Sequence, residues 1–238
     1  MLNYVKGGWF LSLYVIGDLH LSLGTNKPMD VFNGWENYVE RIKSNWNKTV
    51  ADDDVVVVAG DSSWAMNLED SYKDFEFLNN LNGEKIILKG NHDYWFTTKT
   101  KMDNFFKKSD FNTLNILHNN AYKYEQWCIC GSRGWISENG EPSDQKILAR
   151  EAIRLEMSLQ EGMKMGLEPI VFLHYPPIYI HDENLSILEV LHKYNVKRCY
   201  YGHIHGDARK FAFNGIRDGI EYKLISSDHI NFTPVLVE

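Results

Sequence analysis

The sequence predicts an α/β domain in which two β-sheets lie between layers of helices. Apolar runs typical of strands alternate with helix-like segments along all 238 residues. We find no internal repeat, low-complexity tract or linker, and we therefore expect one domain spanning residues 1–238. Hydrophobic residues make up 44% of the chain and charged residues 24%, which is ordinary for a globular protein long enough to bury a substantial core.

The predicted strands are five apolar runs, and each of them ends abruptly in aspartate, asparagine or histidine. Uninterrupted apolar runs are typical of strands buried on both faces, as in a sheet covered by helices. The five runs span residues 13–20, 55–61, 85–93, 169–177 and 198–205. Shorter strand-like pieces are predicted within 111–136, at 222–226 and at 234–237.

The predicted helices are segments with apolar residues at three- and four-residue spacing, which indicates one face turned to the core. The first two stripes are Trp35, Tyr38, Val39, Ile42 and Trp46, and Leu68, Tyr72, Phe75 and Leu78. The next two are Leu148, Ala152, Leu155, Leu159 and Met163, and Leu188, Leu191 and Tyr194. Ser143 is the expected N-cap of the third helix.

Charge and cysteine content exclude several classes of protein. The net charge is −7 and no block is rich in lysine or arginine, which argues against nonspecific nucleic-acid binding. No stretch approaches the ~18 apolar residues of a membrane span, and the first ten residues do not resemble a signal peptide. Three cysteines fit a reducing compartment, so we expect a cytoplasmic protein without a membrane partner. Cys128 and Cys130 alternate along a strand, and we expect both in the core.

Seven side chains suited to metal binding lie at the ends of the five runs. They are Asp18, His20, Asp61, Asn91, His174, His203 and His205. Ligands in α/β folds gather outside the carboxyl ends of strands, and glycine at four of these ends allows a sharp turn. Mixed oxygen and nitrogen donors suit Mn, Fe, Zn or Mg. Seven donors exceed the needs of one tetrahedral ion, so the sequence predicts two divalent ions that share a carboxylate.

The order of these motifs resembles a known group of enzymes. GDLH at 17–20, GD at 60–61, GNHD at 90–93, a later histidine and GHIH at 202–205 are similar to the motifs of the calcineurin-like metallophosphoesterase superfamily. KPMDVF, GDSSWAM and KGNHDYW further resemble an uncharacterised bacterial group of predicted phosphohydrolases within it. The resemblance implies a four-layer α/β/β/α sandwich and in-line attack on a phosphate ester by a metal-bound hydroxide.

The resemblance also implies a role for each site residue. One ion would be held by Asp18, His20 and His205, and the other by Asn91, His174 and His203. Asp61 would bridge both ions. His92 would be the catalytic histidine, which either protonates the leaving oxygen or stabilises charge on the phosphoryl group.

Two motifs depart from the pattern of the protein phosphatases in the superfamily, which show GDxVDRG and RGNHE. Here the matching stretches are GDSSWAM and KGNHD, and the missing arginine disfavours a phosphoserine or phosphothreonine protein substrate. The carboxylate that orients the catalytic histidine in those enzymes corresponds to Trp64. Asp93 and a backbone carbonyl are the alternatives for orienting His92.

Other residues near the motifs can have either a structural or a functional role. Arg133 either binds a substrate phosphate or forms a structural ion pair. The nearby aromatic side chains either pack behind the ligands, which we favour, or form a wall for a nucleobase or sugar: Trp64, Tyr94, Trp95, Trp135 and Tyr175. Surface or core positions are expected for the remaining histidines, His118, His181, His192 and His229.

The predicted function is hydrolysis of a small phosphorylated substrate, either a phosphomonoester or a phosphodiester, with nucleotides among the candidates. The alternative is a non-catalytic, metal-binding assembly module on the same fold, which the complete set of ligands disfavours. A different metal hydrolase, such as an amidohydrolase, is a weaker alternative. In that class the HxH pair is expected at the first strand and not near residue 203.

Overall fold

The computed structural model describes residues 11–136, 142–180 and 182–237. Its strands, β1 to β13 in chain order, are Leu13–Ile16, Val55–Ala59, Glu84–Leu88, Leu114–Ile116, Tyr122–Tyr124, Trp127–Ser132, Glu168–Leu173, Ile178–Tyr179, Asp182–Glu183, Arg198–Tyr201, Gly215–Arg217, Ile220–Leu224 and Val235–Leu236. The helices α1 to α5 are Tyr38–Thr49, Tyr72–Asn79, Lys99–Lys108, Pro142–Met163 and Leu185–Lys193. Short 3-10 helices span Met29–Val31 and Gly206–Phe211.

Two predictions lie outside the described part of the chain. The cap expected at Ser143 depends on a side chain that the structure does not describe, and the same holds for His181.

The helix α3 is a finding that the apolar spacing did not predict. Its core contacts are few, chiefly Met102 and Phe106, and lysines fill much of the rest, while the Thr98 side chain accepts a hydrogen bond from the Lys101 backbone and caps the first turn.

The strands form two mixed sheets. The first has the order β13-β1-β2-β3-β4, and only its edge strand β13 runs antiparallel. The second has the order β11-β12-β10-β7-β6-β5, in which the four central strands are parallel and the two edge strands are antiparallel. Strands β8 and β9 form a separate antiparallel pair.

Three apolar clusters define four layers. Between the sheets, Val15, Val57 and Phe172 pack in a shared core. On the outer face of the first sheet, α1, α2 and α3 contribute buried side chains such as Trp46, Phe75 and Phe106. Helices α4 and α5 cover the second sheet through Leu155, Leu159 and Leu191. Burying each such side chain stabilises the fold by roughly 1.5–3 kcal/mol. The order helix, sheet, sheet, helix confirms the predicted fold class.

The cysteines are core residues, as predicted. Cys128 and Cys130 are fully buried against α4, where a Cβ atom on Gly162 would lie only 2.7 Å from each of their sulfur atoms. Glycine at that position of α4 therefore lets the helix approach the sheet. Burial raises the pKa of the Cys199 thiol, which keeps it protonated.

The parallel strands bring the predicted ligands to one edge of the molecule. The carboxyl ends of β1, β2 and β3 in the first sheet meet those of β7 and β10 in the second. The Gly17 backbone N–H donates to the Ile225 carbonyl at 2.8 Å and joins the two sheets there. Among the described residues, no helix is both long enough and apolar enough to span a membrane.

Candidate active site

Four of the predicted ligands lie in sharp left-handed turns directly after the strands. The φ angles are 59° at Asp18, 46° at His20, 49° at Asp61 and 72° at His203. L-residues rarely adopt this conformation, and it persists only where the surrounding structure imposes it. These turns fix the direction in which the four side chains leave the backbone.

Two strand-end glycines make room for carboxylates. A Cβ atom on Gly90 would lie 2.0 Å from Asp61 Oδ1, and one on Gly202 would lie 2.4 Å from Asp18 Oδ2. Non-bonded carbon atoms prefer separations of about 3.5–4.0 Å, so no side chain fits at either position. Each glycine is therefore required by the carboxylate opposite it.

Asp18, His20 and His205 form the first group of donors. Their ligand atoms all lie within 4.8 Å of one another. The Nε2 atoms of the two histidines are 3.3 Å apart, and His205 Nε2 lies 3.2 Å from Asp18 Oδ1. Asp18 and His20 are buried and His205 is partly exposed, so the group opens to solvent on one side.

Asn91, His174 and His203 form the second group. Asn91 Oδ1 lies 2.6 Å from His174 Nε2 and 2.9 Å from His203 Nδ1. His174 is fully buried. Asp18 approaches this group as well, because its Oδ1 atom lies 3.8 Å from His174 Nδ1. The seven predicted ligands are thus brought together at the sheet edge.

Asp61 lies between the two groups. Its Oδ2 atom is 3.8 Å from His20 Nε2 in the first group and 3.4 Å from His174 Nε2 in the second. Its Oδ1 atom accepts a hydrogen bond from the His92 backbone N–H at 2.8 Å. The carboxylate is therefore anchored by one oxygen and directs the other towards both groups.

The protonation of His174 shows that these residues fit divalent cations. Its Nδ1 atom lies 3.1 Å from the Ala59 carbonyl, which can only accept, so the proton belongs on Nδ1. Burial lowers the pKa of His174 and keeps the ring neutral. The Nε2 lone pair then faces oxygen atoms of Asn91 and Asp61, an arrangement that a cation between them would stabilise. Carboxylate, imidazole and amide donors together suit Mn, Fe, Zn or Mg.

The two carboxylates have opposite electrostatic environments. Burial, followed by the nearby charges of Asp93 and Asp18, raises the pKa of Asp61 well above its ordinary value. Burial alone would also raise the pKa of Asp18, but His205 and the other histidines beside it outweigh that cost and lower it. Positive charge bound at this edge would favour the ionised form of both carboxylates.

Asp228 is a site residue that the sequence did not reveal. Its Oδ1 atom lies 3.2 Å from His205 Nδ1, and its Oδ2 atom accepts from the Gly206 backbone N–H at 2.8 Å. A carboxylate at Nδ1 fixes the tautomer of a ligand histidine and directs Nε2 to the metal position. Asp228 follows β12 in a stretch without a recognisable motif, and tertiary contacts such as the pairing of Gly17 with Ser226 bring it to the site.

Asp93 does not orient His92. Its buried carboxylate is instead saturated by donors from the two loops that carry Asp61 and Asn91. The donors are the backbone N–H groups of Asp61 at 2.8 Å, Ser62 at 2.9 Å, Ser63 at 3.3 Å and Gly90 at 2.7 Å, the Ser62 hydroxyl at 2.9 Å and Trp95 Nε1 at 2.8 Å. Asp93 thereby ties the two loops together.

His92 is held by aromatic packing. Its ring centroid lies 4.4 Å from that of Trp64, which in turn stacks on His20 at 4.9 Å. His92 Nδ1 is buried and has no hydrogen-bond partner within the part of the chain that the structure describes, and burial lowers the pKa of the ring. Neither of the expected orienting groups, the Asp93 carboxylate and a backbone carbonyl, contacts this nitrogen. Nε2 is therefore the ring nitrogen that can reach a substrate.

Arg133 forms an ion pair. Its Nη2 atom lies 3.2 Å from Oε1 of the fully buried Glu151, which also contacts Arg154 Nη1 at 2.7 Å. Its guanidinium lies 4.8 Å from the Trp135 ring centroid. The structure thus shows the ion pair between Arg133 and Glu151. Binding of a substrate phosphate by Arg133 stays a prediction.

The aromatic residues near the motifs chiefly pack behind the ligands. Trp95 is buried against Phe75, with ring centroids 4.6 Å apart. Tyr175 is buried beside the ligand His203, at 4.0 Å between centroids. Tyr94, by contrast, is 53% exposed. These contacts favour the packing interpretation for Trp95 and Tyr175.

Comparison with known proteins agrees with this geometry. The family model described as calcineurin-like phosphoesterase matches residues 11–207. The uncharacterized protein MJ1445 of Methanocaldococcus jannaschii is 29% identical over 130 residues, which cover 50% of this chain and 67% of that protein.

Solved structures share the fold at low sequence identity. The phosphopantetheinyl hydrolase PptH from Mycobacterium tuberculosis has a TM-score of 0.53 and 14% identity, and the alignment covers 95% of each chain. The protein of unknown function AQ665 from Aquifex aeolicus has a TM-score of 0.53, 16% identity and the same coverage. The family match extends over most of the chain and includes every strand end that carries a predicted ligand. The protein therefore belongs to the calcineurin-like phosphoesterase family.

Proposed function

We propose that this protein is a di-metal phosphohydrolase that cleaves a small phosphomonoester or phosphodiester by in-line attack of water. The observation that carries the proposal is the position of Asp61. Its Oδ2 atom lies within 4 Å of a histidine in each group of donors, as a carboxylate shared by two cations requires. Family membership supports phosphoester hydrolysis independently.

The ligand assignment follows the two groups. Asp18, His20 and His205 would hold one ion, Asn91, His174 and His203 would hold the other, and Asp61, whose carboxylate lies between the two groups, would serve both. When bound, two divalent ions supply Lewis-acid activation of the attacking water and neutralise charge on the phosphoryl group. Burial of Asp18, His20, Asp61 and His174 shields the inner side of the site from water, and Asp93 and Asp228 keep the ligand loops and His205 in position.

His92 acts on the substrate side of the site. Its Nδ1 atom is buried, so Nε2 donates a hydrogen bond to the phosphoryl oxygen or a proton to the leaving oxygen. Packing against Trp64 limits the positions that the ring can adopt. The buried thiols and the ordinary composition support a cytoplasmic location, which we also propose.

The experiment that tests the proposal combines metal analysis with hydrolysis of mono- and bis-nitrophenyl phosphate in the presence of Mn²⁺. About two ions per chain with turnover supports the di-metal hydrolase, and the preferred ester distinguishes monoesterase from diesterase. A purified protein that binds no divalent ion overturns the proposal. Two ions without turnover of any phosphate ester favours the assembly module.

A further inference from the structure

A cavity of about 440 Å³ lies beside the metal-ligand candidates and is lined by one of them, His205. One wall is apolar and consists of Met29, Phe32 and Trp35, while Asn33, Asp207 and Arg209 make the other wall polar. Its volume falls in the range of about 300–1,000 Å³ typical of small-molecule sites. The apolar wall belongs to the KPMDVF segment and the residues just after it.

The floor of this cavity touches the metal-ligand candidates. Trp35 is only 3% exposed, and its ring meets His205 and His20 edge-on at centroid distances of 5.7 and 5.8 Å. Phe232 packs on Trp35 at 5.0 Å and holds the ring in place. A group bound in the cavity therefore lies beside the ligand cluster, because His205 lines the cavity as well.

Phe32 is presented at the mouth of the cavity by an ordered turn. The Phe32 backbone N–H donates to the Met29 carbonyl at 2.9 Å, and the Trp35 N–H donates to the Phe32 carbonyl at 3.1 Å. The Asp30 carboxylate accepts from the Asn37 N–H at 2.8 Å and closes the loop. The Phe32 side chain is nevertheless 56% exposed. An exposed aromatic ring carried on a hydrogen-bonded turn suits a ligand with a flat apolar face.

Arg209 fixes the opposite wall. Its Nε atom donates to the Gly206 carbonyl at 2.7 Å and its Nη1 atom donates to the Asp228 carbonyl. A guanidinium held in this way offers a flat surface on which planar rings stack. The Asp207 carboxylate and the Asn33 amide add a hydrogen-bond acceptor and an amide donor-acceptor pair. Because these polar groups line one side of the cavity, the lining favours a planar ring with hydrogen-bonding edges over a wholly apolar group.

We propose that the cavity binds the nucleobase of a nucleotide or nucleoside phosphodiester whose phosphoryl group lies at the ligand cluster. The substrate class rests on the proposed function, but binding of the base itself does not require turnover. Phe32 and the guanidinium of Arg209 supply the stacking faces, and Asp207 and Asn33 contact the polar edges of the base.

The direct test is an NMR titration of the metal-free protein with adenosine, with ribose as the comparison ligand. We expect saturable binding of adenosine and none of ribose. Phe32→Ala should weaken adenosine binding about tenfold, in line with the loss of one base-stacking contact. Phe211→Ala is the matched control, because Phe211 is 52% exposed and does not line the cavity. Absence of saturable adenosine binding, or unchanged affinity in Phe32→Ala, overturns the proposal.

A kinetic comparison separates this proposal from the proposed function. AMP and ribose 5-phosphate both release the primary 5-hydroxyl of a ribose, and thymidine nitrophenyl phosphate and methyl nitrophenyl phosphate both release nitrophenolate. In whichever pair is hydrolysed, we expect the base-bearing ester to have a kcat/KM at least about tenfold higher, and Phe32→Ala to narrow that ratio while Phe211→Ala keeps it. Equal rates within the hydrolysed pair overturn the nucleobase site and leave the phosphohydrolase intact. Adenosine binding without turnover of any ester keeps the nucleobase site and refutes the phosphohydrolase.

Discussion

The metal-ligand cluster and His92 lie side by side but are positioned by different forces. Hydrogen bonds to carboxylates position the cluster: Asp93 accepts from its loops and ties them together, and Asp228 faces the ring of His205. His92 packs against Trp64 instead, and its Nδ1 atom has no partner among the described residues. Hydrogen bonds fix direction, whereas packing mainly limits space. We therefore expect the ligand cluster to respond to single-atom changes and His92 to respond to changes of volume.

The largest effect is expected at Asp61. In Asp61→Asn, a neutral amide replaces the anion between the two groups of donors. Both ions should lose tight binding, and almost all turnover should disappear. Plasma mass spectrometry after gel filtration and phosphate-release assays measure the two effects. Asp52→Asn, on an exposed turn, is the matched control. Two tightly retained ions in Asp61→Asn would exclude a bridging role.

Removal of the His92 ring comes next. His92→Ala should keep its metal content and lose about 10²–10⁴-fold in kcat, the usual contribution of a positioned proton donor. His118→Ala is the control, since His118 is also partly buried and packs on Phe96 at 5.4 Å. Loss of ions together with turnover would instead make His92 part of the metal-binding shell.

Replacing one carboxylate oxygen of Asp93 by an amide nitrogen should weaken the link between the two loops. Asp93→Asn keeps the shape of the side chain but turns an amide NH₂ towards buried N–H donors. The free energy of unfolding should fall by about 3 kcal/mol, as measured by urea denaturation. Asp110→Asn, at an exposed position after α3, should change it by less than about 0.5 kcal/mol. Equal stability of the two variants would show that Asp93 is not the link between the loops.

A smaller effect is expected at Asp228, the residue that faces His205. Asp228→Ala removes the group that faces His205 Nδ1, and ion affinity should fall about 10–100-fold in a competition with a chelator. Asp218→Ala tests the assay itself, because Asp218 is an exposed residue after β11. Unchanged affinity in Asp228→Ala would leave the orientation of His205 to its own packing.

The smallest effect tests the packing side of the comparison. Trp64→Leu removes the aromatic surface that packs against His92. We expect kcat to fall about tenfold, because the His92 ring would be misplaced. Metal content should persist, because the Tyr38 hydroxyl donates to the His20 carbonyl at 3.0 Å and Trp35 supports the His20 ring. Trp127→Leu, at a partly buried position in β6, is the control. Wild-type kcat in Trp64→Leu would mean that something other than this contact positions His92.

The strands and the ligands were predictable from the sequence because local pattern suffices for both. An apolar run that ends in Gly-Asp or Gly-His indicates both a strand and the position of the aspartate or histidine side chain at the end of that strand. Helix α3 was not predicted because lysines interrupt its apolar spacing. Tertiary packing of Met102 and Phe106 stabilises that helix more than its local pattern indicates.

The supporting residues were less predictable because their roles depend on distant contacts. Asp228 faces a histidine 23 positions earlier, and Asp93 binds backbone groups 30 to 32 positions away. Sequence proximity instead suggested that Asp93 serves its neighbour His92. The alternatives for Arg133 stayed open for a similar reason, since its partner Glu151 lies on α4 and nothing in GSRGW identifies it.

The space opposite each carboxylate has a consequence for the tolerance of the chain to mutation. Gly90 and Gly202 carry no reactive group, yet even an alanine at either position would collide with an oxygen of Asp61 or Asp18. In a selection for activity these two glycines should therefore behave as the carboxylates do and accept almost no replacement. A single-site scan would group them with the ligands, although their contribution is only the volume that they leave empty.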